Sequence, residues 1–161
     1  MTLLLKTAAV FAALAAVAAV VLACGAIIGN RVPVLAPPGP VERLRVYLST
    51  NSARTRPRHE FPELRTRGYK LSRDETFDRI ERVITEMGWK LQRTDRSDYT
   101  IDAVVSTPLL GFKDDVHVML KSTADKGTVV DVASHSRVGR GDFGANIAHI
   151  VALYNALEAQ S

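Results

Sequence analysis

From Thr7 to Gly29 the chain runs 23 residues without a charge, built almost entirely of Ala, Val, Leu and Ile. At a rise of about 1.5 Å per residue, a helix of that length crosses a hydrocarbon core of roughly 30 Å. It is the one such stretch in the sequence. The prediction is one transmembrane helix ahead of a soluble domain held at a membrane.

The stretch has three readings. Its length favours a retained single-pass anchor, since secretory apolar regions run only about 7–15 residues. It also reads as a cleaved signal peptide. The third reading is a lipoprotein signal, because Val21-Leu22-Ala23-Cys24-Gly25 resembles a bacterial lipobox. Cys24, the single cysteine, is then a candidate lipidation residue; otherwise it is a small apolar residue within a membrane helix. Lys6 precedes the span and Arg31 follows it, with Arg43 and Arg45 further on. That distribution leans toward an inside N-terminus and an extracytoplasmic, periplasmic-type domain.

The chain divides into a tail (1–6), the anchor or signal segment (7–29), a Pro-rich spacer (30–40) and a soluble domain (41–161) with a basic arm (51–70). Four prolines in the nine residues Val32–Pro40 predict an extended, polyproline-like spacer. The 121 residues that follow suffice for a core without metal or disulfide staples.

Charge is unevenly placed. Residues 41–70 carry a net +5 and residues 71–161 a net −3, within a total of +4. The basic arm has two partners available. One is anionic headgroups, at about 1 kcal/mol per well-placed charge. The other is the acidic domain itself, and the expectation is that the arm lies across its polar sheet face with Phe61 and Leu64 as anchors. An acidic folded part on a membrane is a poor fit to nucleic acid.

Leu44, Val46 and Leu48 alternate with Arg43, Arg45 and Tyr47, the pattern of a half-buried strand. Asn51–Arg67 reads as irregular. Ser72 and Glu75 form a capping box ahead of a helix with Phe77, Ile80, Val83, Ile84 and Met87 on one stripe, ended by Gly88. Strands are predicted over Trp89–Thr94, Tyr99–Thr107, Asp115–Lys121 and Thr128–Ser136, and a last helix over about Phe143–Glu158. Its stripe is Ile147, Ile150, Val151, Tyr154 and Leu157. The fold class is α+β: an antiparallel sheet of about five strands with two helices packed on one face. The other face would show Asp102, Asp115, His117, Asp131 and His135.

Three patterns bear on chemistry. Gly139-Arg140-Gly141-Asp142-Phe143-Gly144 matches G-x-G-x-x-G between a strand and a helix. However, no parallel strand follows, and Asp142 would repel a pyrophosphate at the helix N-terminus. The glycines are expected to turn the chain and Asp142 to cap the helix. On the polar sheet face, Asp115, His117, Asp131 and His135 have the residue types of a metal or acid/base cluster, though their spacing equally describes a solvated face. Ser134-His135-Ser136 lacks a nucleophile elbow. His59 and His149 stand alone, and Trp89 is expected to anchor the helix-to-strand corner. Asp114 and Arg137, entering and leaving one hairpin, are expected to form a partly buried ion pair.

Several segments together resemble a known family. They are Phe61-Pro62-Glu63-Leu64, Met87-Gly88-Trp89, Gly111-Phe112-Lys113-Asp114-Asp115-Val116, and the run from Ser134 to Asn146, Ser-His-Ser-Arg-Val-Gly-Arg-Gly-Asp-Phe-Gly-Ala-Asn. They are similar to the bacterial and plastid family called domain of unknown function 1499, over about residues 41–157. The resemblance implies an α+β domain, frequent membrane attachment and no established activity, cofactor or catalytic residue. It directs interest to the Phe-Lys-Asp-Asp turn and the Ser-Arg-Val-Gly loop.

The expected function is therefore a non-enzymatic, membrane-tethered binding or scaffold module for an envelope protein or a lipid. The candidate binding residues are Asp114, Asp115, His117, Asp131, His135, Arg137, Arg140 and Asp142, with no metal or cofactor assigned. The alternative is a hydrolase or metal-dependent enzyme using the Asp/His face. An envelope lipid carrier would need an apolar cavity between helices and sheet.

Overall fold

The computed structural model describes residues 2–107 and 111–160; Met1 and Ser161, the outer limits of the expected tail and domain, lie outside them. Helix α1 covers Thr2–Gly29. Among the described residues it is the one helix long and apolar enough to cross a membrane, and its side chains are almost all exposed. Near its C-terminal end the environment changes. Ile27 and, three residues past the helix, Val32 are buried in the domain's core.

The spacer does not extend. It bends back on itself, with the Gly39 N–H donating to the Ala36 carbonyl at 3.0 Å. A proline-rich segment has few N–H groups of its own, so its carbonyls must find donors elsewhere. Arg43 supplies them: its guanidinium donates to the carbonyls of Pro33 (2.8 Å), Ala36 (2.9 Å) and Pro37 (2.6 Å).

The segment expected as the first strand is instead helix α2, Pro40–Ser49. Pro40 sits in the first turn, where its missing N–H is harmless, and Glu42 meets the positive end of the helix. Apolar residues at i, i+2 and i+4 fit a strand, but the decisive pair is Arg43 and Tyr47 at i, i+4. Both are fully buried, while Leu44 and Leu48 are left exposed. The Arg43 guanidinium also forks onto Glu63 (2.6 and 3.0 Å), donates to the Tyr47 hydroxyl (2.9 Å) and lies over the Phe61 ring at 4.4 Å. A buried guanidinium is tolerable only with such saturation.

The basic arm is not irregular throughout. Its strands β1 (Ser52–Arg54) and β2 (Arg67–Tyr69) pair end to end along one edge of β6 (Thr128–Ser136). Between them, Thr55 exchanges hydrogen bonds with the Val132 backbone, at 2.8 and 2.9 Å. Phe61 and Leu64, flanking a short 3₁₀ turn at Pro62–Leu64, enter the core. The arm thus covers a sheet edge rather than the polar face; Thr66 alone reaches an acid there, donating to Asp131 at 3.0 Å.

The remaining strands are β3 (Lys90–Asp95), β4 (Thr100–Ser106) and β5 (Lys113–Ser122). The antiparallel order is β1-β6-β5-β4-β3, with β2 beside β6. Helix α3 (Arg73–Glu86) starts at the expected Ser72/Glu75 capping box and ends before Gly88, whose φ of 72° suits glycine. It buries Phe77, Ile80, Val83 and Ile84. Helix α4 (Ala145–Ala159) buries Ile147, Ile150, Leu153, Tyr154 and Leu157. These side chains meet Ile101, Ala103, Val116, Val118, Leu120, Val130 and Val132 in one core. The two-layer arrangement expected from periodicity is present, with α2 and the arm added at its side.

Candidate functional site

Period-two alternation turns Asp102, Asp115, His117, Asp131 and His135 away from the helices, onto the open face. The register sets Asp102 opposite His117 and Asp115 opposite His135. His117 Nδ1 lies 2.6 Å from Asp102 Oδ1. His135 Nδ1 lies 3.9 Å from Asp115 Oδ2. Asp131 stands apart, taken by Lys121 Nζ at 2.7 Å as well as by Thr66. With Lys90, Arg93 and Arg137, the first two pairs line an open concavity of about 840 Å³. Among the described residues no three His, Cys, Asp or Glu side chains are placed to hold a metal ion.

Arg137 forks onto Asp115, with Nε to Oδ2 at 2.9 Å and Nη2 to Oδ1 at 2.7 Å. Its hydrogen bonds, then its charge and that of His135, hold the Asp115 carboxyl below the usual carboxylate range. The expected Asp114–Arg137 pair is therefore replaced by Asp115–Arg137. The reason is that β5 begins at Lys113, so Asp114 is in the strand, not the turn, and alternation sends it into the core. Asp114 is 2% exposed and its carboxylate approaches His149 Nδ1 at 3.7 Å.

The N-cap position of α4 is Gly144, at φ 83°; Asp142, two residues ahead of it, accepts from Gly144 N at 2.8 Å and, as expected, from a first-turn N–H, Asn146 N, at 3.1 Å. Gly139 turns the chain at φ 96°. Gly141 does so for a different reason: its φ is unexceptional, but a Cβ there would collide with the Leu48 carbonyl. Arg140 is exposed on this loop, and Cys24 is exposed on α1.

A second polar cluster lies on the core side, at the end of the sheet where α4 begins. Asn146 is fully buried. Its Oδ1 accepts from Ser134 Oγ at 2.5 Å, and its Nδ2 donates to the Asn51 carbonyl (2.9 Å), Ser136 Oγ (2.9 Å) and Asp142 Oδ2 (2.6 Å). Nearby, His149 packs edge-on to Trp89 with ring centroids 5.8 Å apart. Its Nδ1 makes no hydrogen bond among the described residues. Burial holds its pKa below the ordinary value, while the charges of Asp114 and Asp142 pull the other way. Asn146 was not among the expected site residues. The available signal was parity: Asp114, Ser134 and Ser136 occupy inward positions in register with Val116, Val130 and Val132.

Three of the segments that carried the family resemblance meet at one end of the sheet: Trp89 and Asp114 both approach His149, and Asp114 pairs in register with Ser136, which takes the Asn146 amide; the fourth, Phe61–Leu64, holds Arg43 through Glu63. The family described as "Protein of unknown function (DUF1499)" has a sequence model that matches residues 41–157. The chain belongs to this family. No curated protein matches it. In this DUF1499 domain the signature loop from Ser134 to Asn146 builds a helix cap and a buried amide hub, which accounts for its G-x-G-x-x-G spacing without a nucleotide.

Proposed function

We propose that this DUF1499 protein is a membrane-tethered, extracytoplasmic binding module whose open sheet face engages an envelope protein or a lipid headgroup. The observation that carries this reading is the docking of the end of α1 into the domain: Ile27 and Val32 are core residues, and Asn30 Nδ2 donates to the Phe143 carbonyl at 3.0 Å. Such a contact holds the domain rigidly at the bilayer instead of leaving it on a leash. The same docking survives if Cys24 is lipidated, because the docked residues follow it.

The open face supports recognition over catalysis because its acids are engaged: Asp115 by Arg137, Asp102 by His117, Asp131 by Lys121. Lys90 and Arg93, the latter also held by Asp95 at 2.9 Å, lie on the same concavity and favour an anionic group on the partner. One observation favours the hydrolase reading: a histidine oriented by a carboxylate at 2.6 Å has the geometry of a general base with its orienter.

Native mass spectrometry of full-length protein extracted in mild detergent tests the proposal. A protein or lipid partner that is retained by the wild type and lost in Arg93→Ala supports it. Bare protein in both, together with ester hydrolysis that disappears in His117→Ala, would establish the hydrolase instead.

A further inference from the structure

Among the described residues of the domain five large apolar side chains are exposed; Val41 and Leu44 lie toward the start of α2, and the other three gather together. Leu48 is 50% exposed, Phe112 49% and Val138 56%. Backbone contacts gather them at one end of the sheet. The Leu48 carbonyl lies against Gly141, Asn51 Nδ2 donates to the Gly139 carbonyl (2.9 Å), and Arg137 N donates to the Lys113 carbonyl (3.1 Å). Exposed Lys113 and Arg140 flank them. This is also the end where the apolar helix arrives. Phe143 receives the Asn30 side chain, and Val32 packs so closely on Gly144 that a Cβ there would overlap it. Only Asn30 and Arg31 separate the end of α1 from the buried Val32.

A membrane-crossing helix whose own last turn docks through Ile27 cannot hold this end of the domain far from the membrane surface. Apolar side chains set among cations are the composition that enters the headgroup layer. We propose that Leu48, Phe112 and Val138 rest in the interfacial layer of the bilayer that α1 crosses, with Lys113 and Arg140 meeting anionic headgroups. The open face, on the side of the sheet, then stays accessible to a partner. The proposal rests on the tethering part of the reading above, and it adds a defined lipid footprint and a fixed attitude of the domain on the membrane.

The test uses the full chain with Cys24→Ser, reconstituted in vesicles of phosphatidylcholine and phosphatidylglycerol. Nitroxide labels are placed one at a time at Leu48→Cys, Phe112→Cys and Val138→Cys. Val17→Cys in α1 and Asp125→Cys in the β5–β6 turn, at the far end of the sheet, serve as references. Collision with a water-soluble nickel chelate is compared with collision with oxygen. The footprint predicts nickel accessibility at 48, 112 and 138 several-fold below that at 125, rising when phosphatidylglycerol is omitted. Labels at 48, 112 and 138 as accessible as 125, with 17 shielded in lipid, would overturn the footprint and leave the tether intact. Nickel access at 17 as well would overturn both.

Discussion

Asn146 links the Asn51 carbonyl, two strand hydroxyls and the α4 cap through a single buried amide. Removing its side chain takes the partner from the buried Ser134 and Ser136 hydroxyls and opens a polar hole between strand and helix, while the Asn51 carbonyl keeps Ser136 N and Asp142 keeps its two backbone donors; removing Asp142 frees two N–H groups at the start of α4. Asn146→Ala should therefore destabilise the domain by about 3 kcal/mol, as buried polar groups lose partners. Asp142→Ala should cost about 1 kcal/mol, the usual worth of a cap. Urea denaturation of both variants gives the order directly, and the reverse order would mean the hub is not what holds this end. His149 makes a different prediction. Its unfolded form binds a proton near the ordinary pKa of 6.5, and its folded form only at lower pH because burial opposes the charge. Between those values the unfolded chain carries more protons, so stability falls as pH drops below about 6.5. His149→Phe keeps a ring against Trp89 and removes the titration. Denaturation at about pH 7.5 and about pH 5.5 should show a smaller loss in the variant than in the wild type. An equal loss would place the acid sensitivity in other groups, with half-buried His59, its pKa lowered first by desolvation, the first to test.

At the scale of elements, the four long strands and helices α3 and α4 were legible because their signals are local. Alternation in Lys113–Ser122 and Thr128–Ser136, and the Ser72/Glu75 box, need no knowledge of the rest of the chain. Helix α2 was not legible. Leu44, Val46 and Leu48 satisfy a strand pattern, and the helix is selected by Glu63, 20 residues beyond Arg43, and by spacer carbonyls at Pro33 and Pro37 that reach Arg43 only because the spacer bends back. Strands β1 and β2, at three residues each, are too short to show a period. The open-face candidates were readable from alternation; the choice between Asp114 and Asp115 as the partner of Arg137 turned on whether residue 114 lies in the strand. The spacer's role yields a prediction of its own. A fragment beginning at Asn30 keeps the carbonyls that Arg43 donates to, and one beginning at Val41 loses them. The shorter fragment should be less stable by about 1–3 kcal/mol, the scale of hydrogen bonds to a charged group. Equal melting temperatures would show that Glu63 and Tyr47 alone satisfy the guanidinium.

At the scale of the molecule, one apolar helix and one two-layer domain share a core at their junction through Ile27 and Val32. In the proposed reading the anchor, the loop from Ser134 to Asn146 and the exposed apolar end act as one unit, with the open face carried at a set height above the lipid. That arrangement has its function only if α1 stays in the membrane and the domain lies outside the cytoplasm. The direct measurement is labelling of the full chain carrying Cys24→Ser and Asp125→Cys with a membrane-impermeant maleimide in intact spheroplasts, followed by an alkaline carbonate wash. The account predicts labelling without lysis and a labelled protein that stays in the membrane pellet. Labelling only after lysis, or release into the carbonate supernatant, would contradict it.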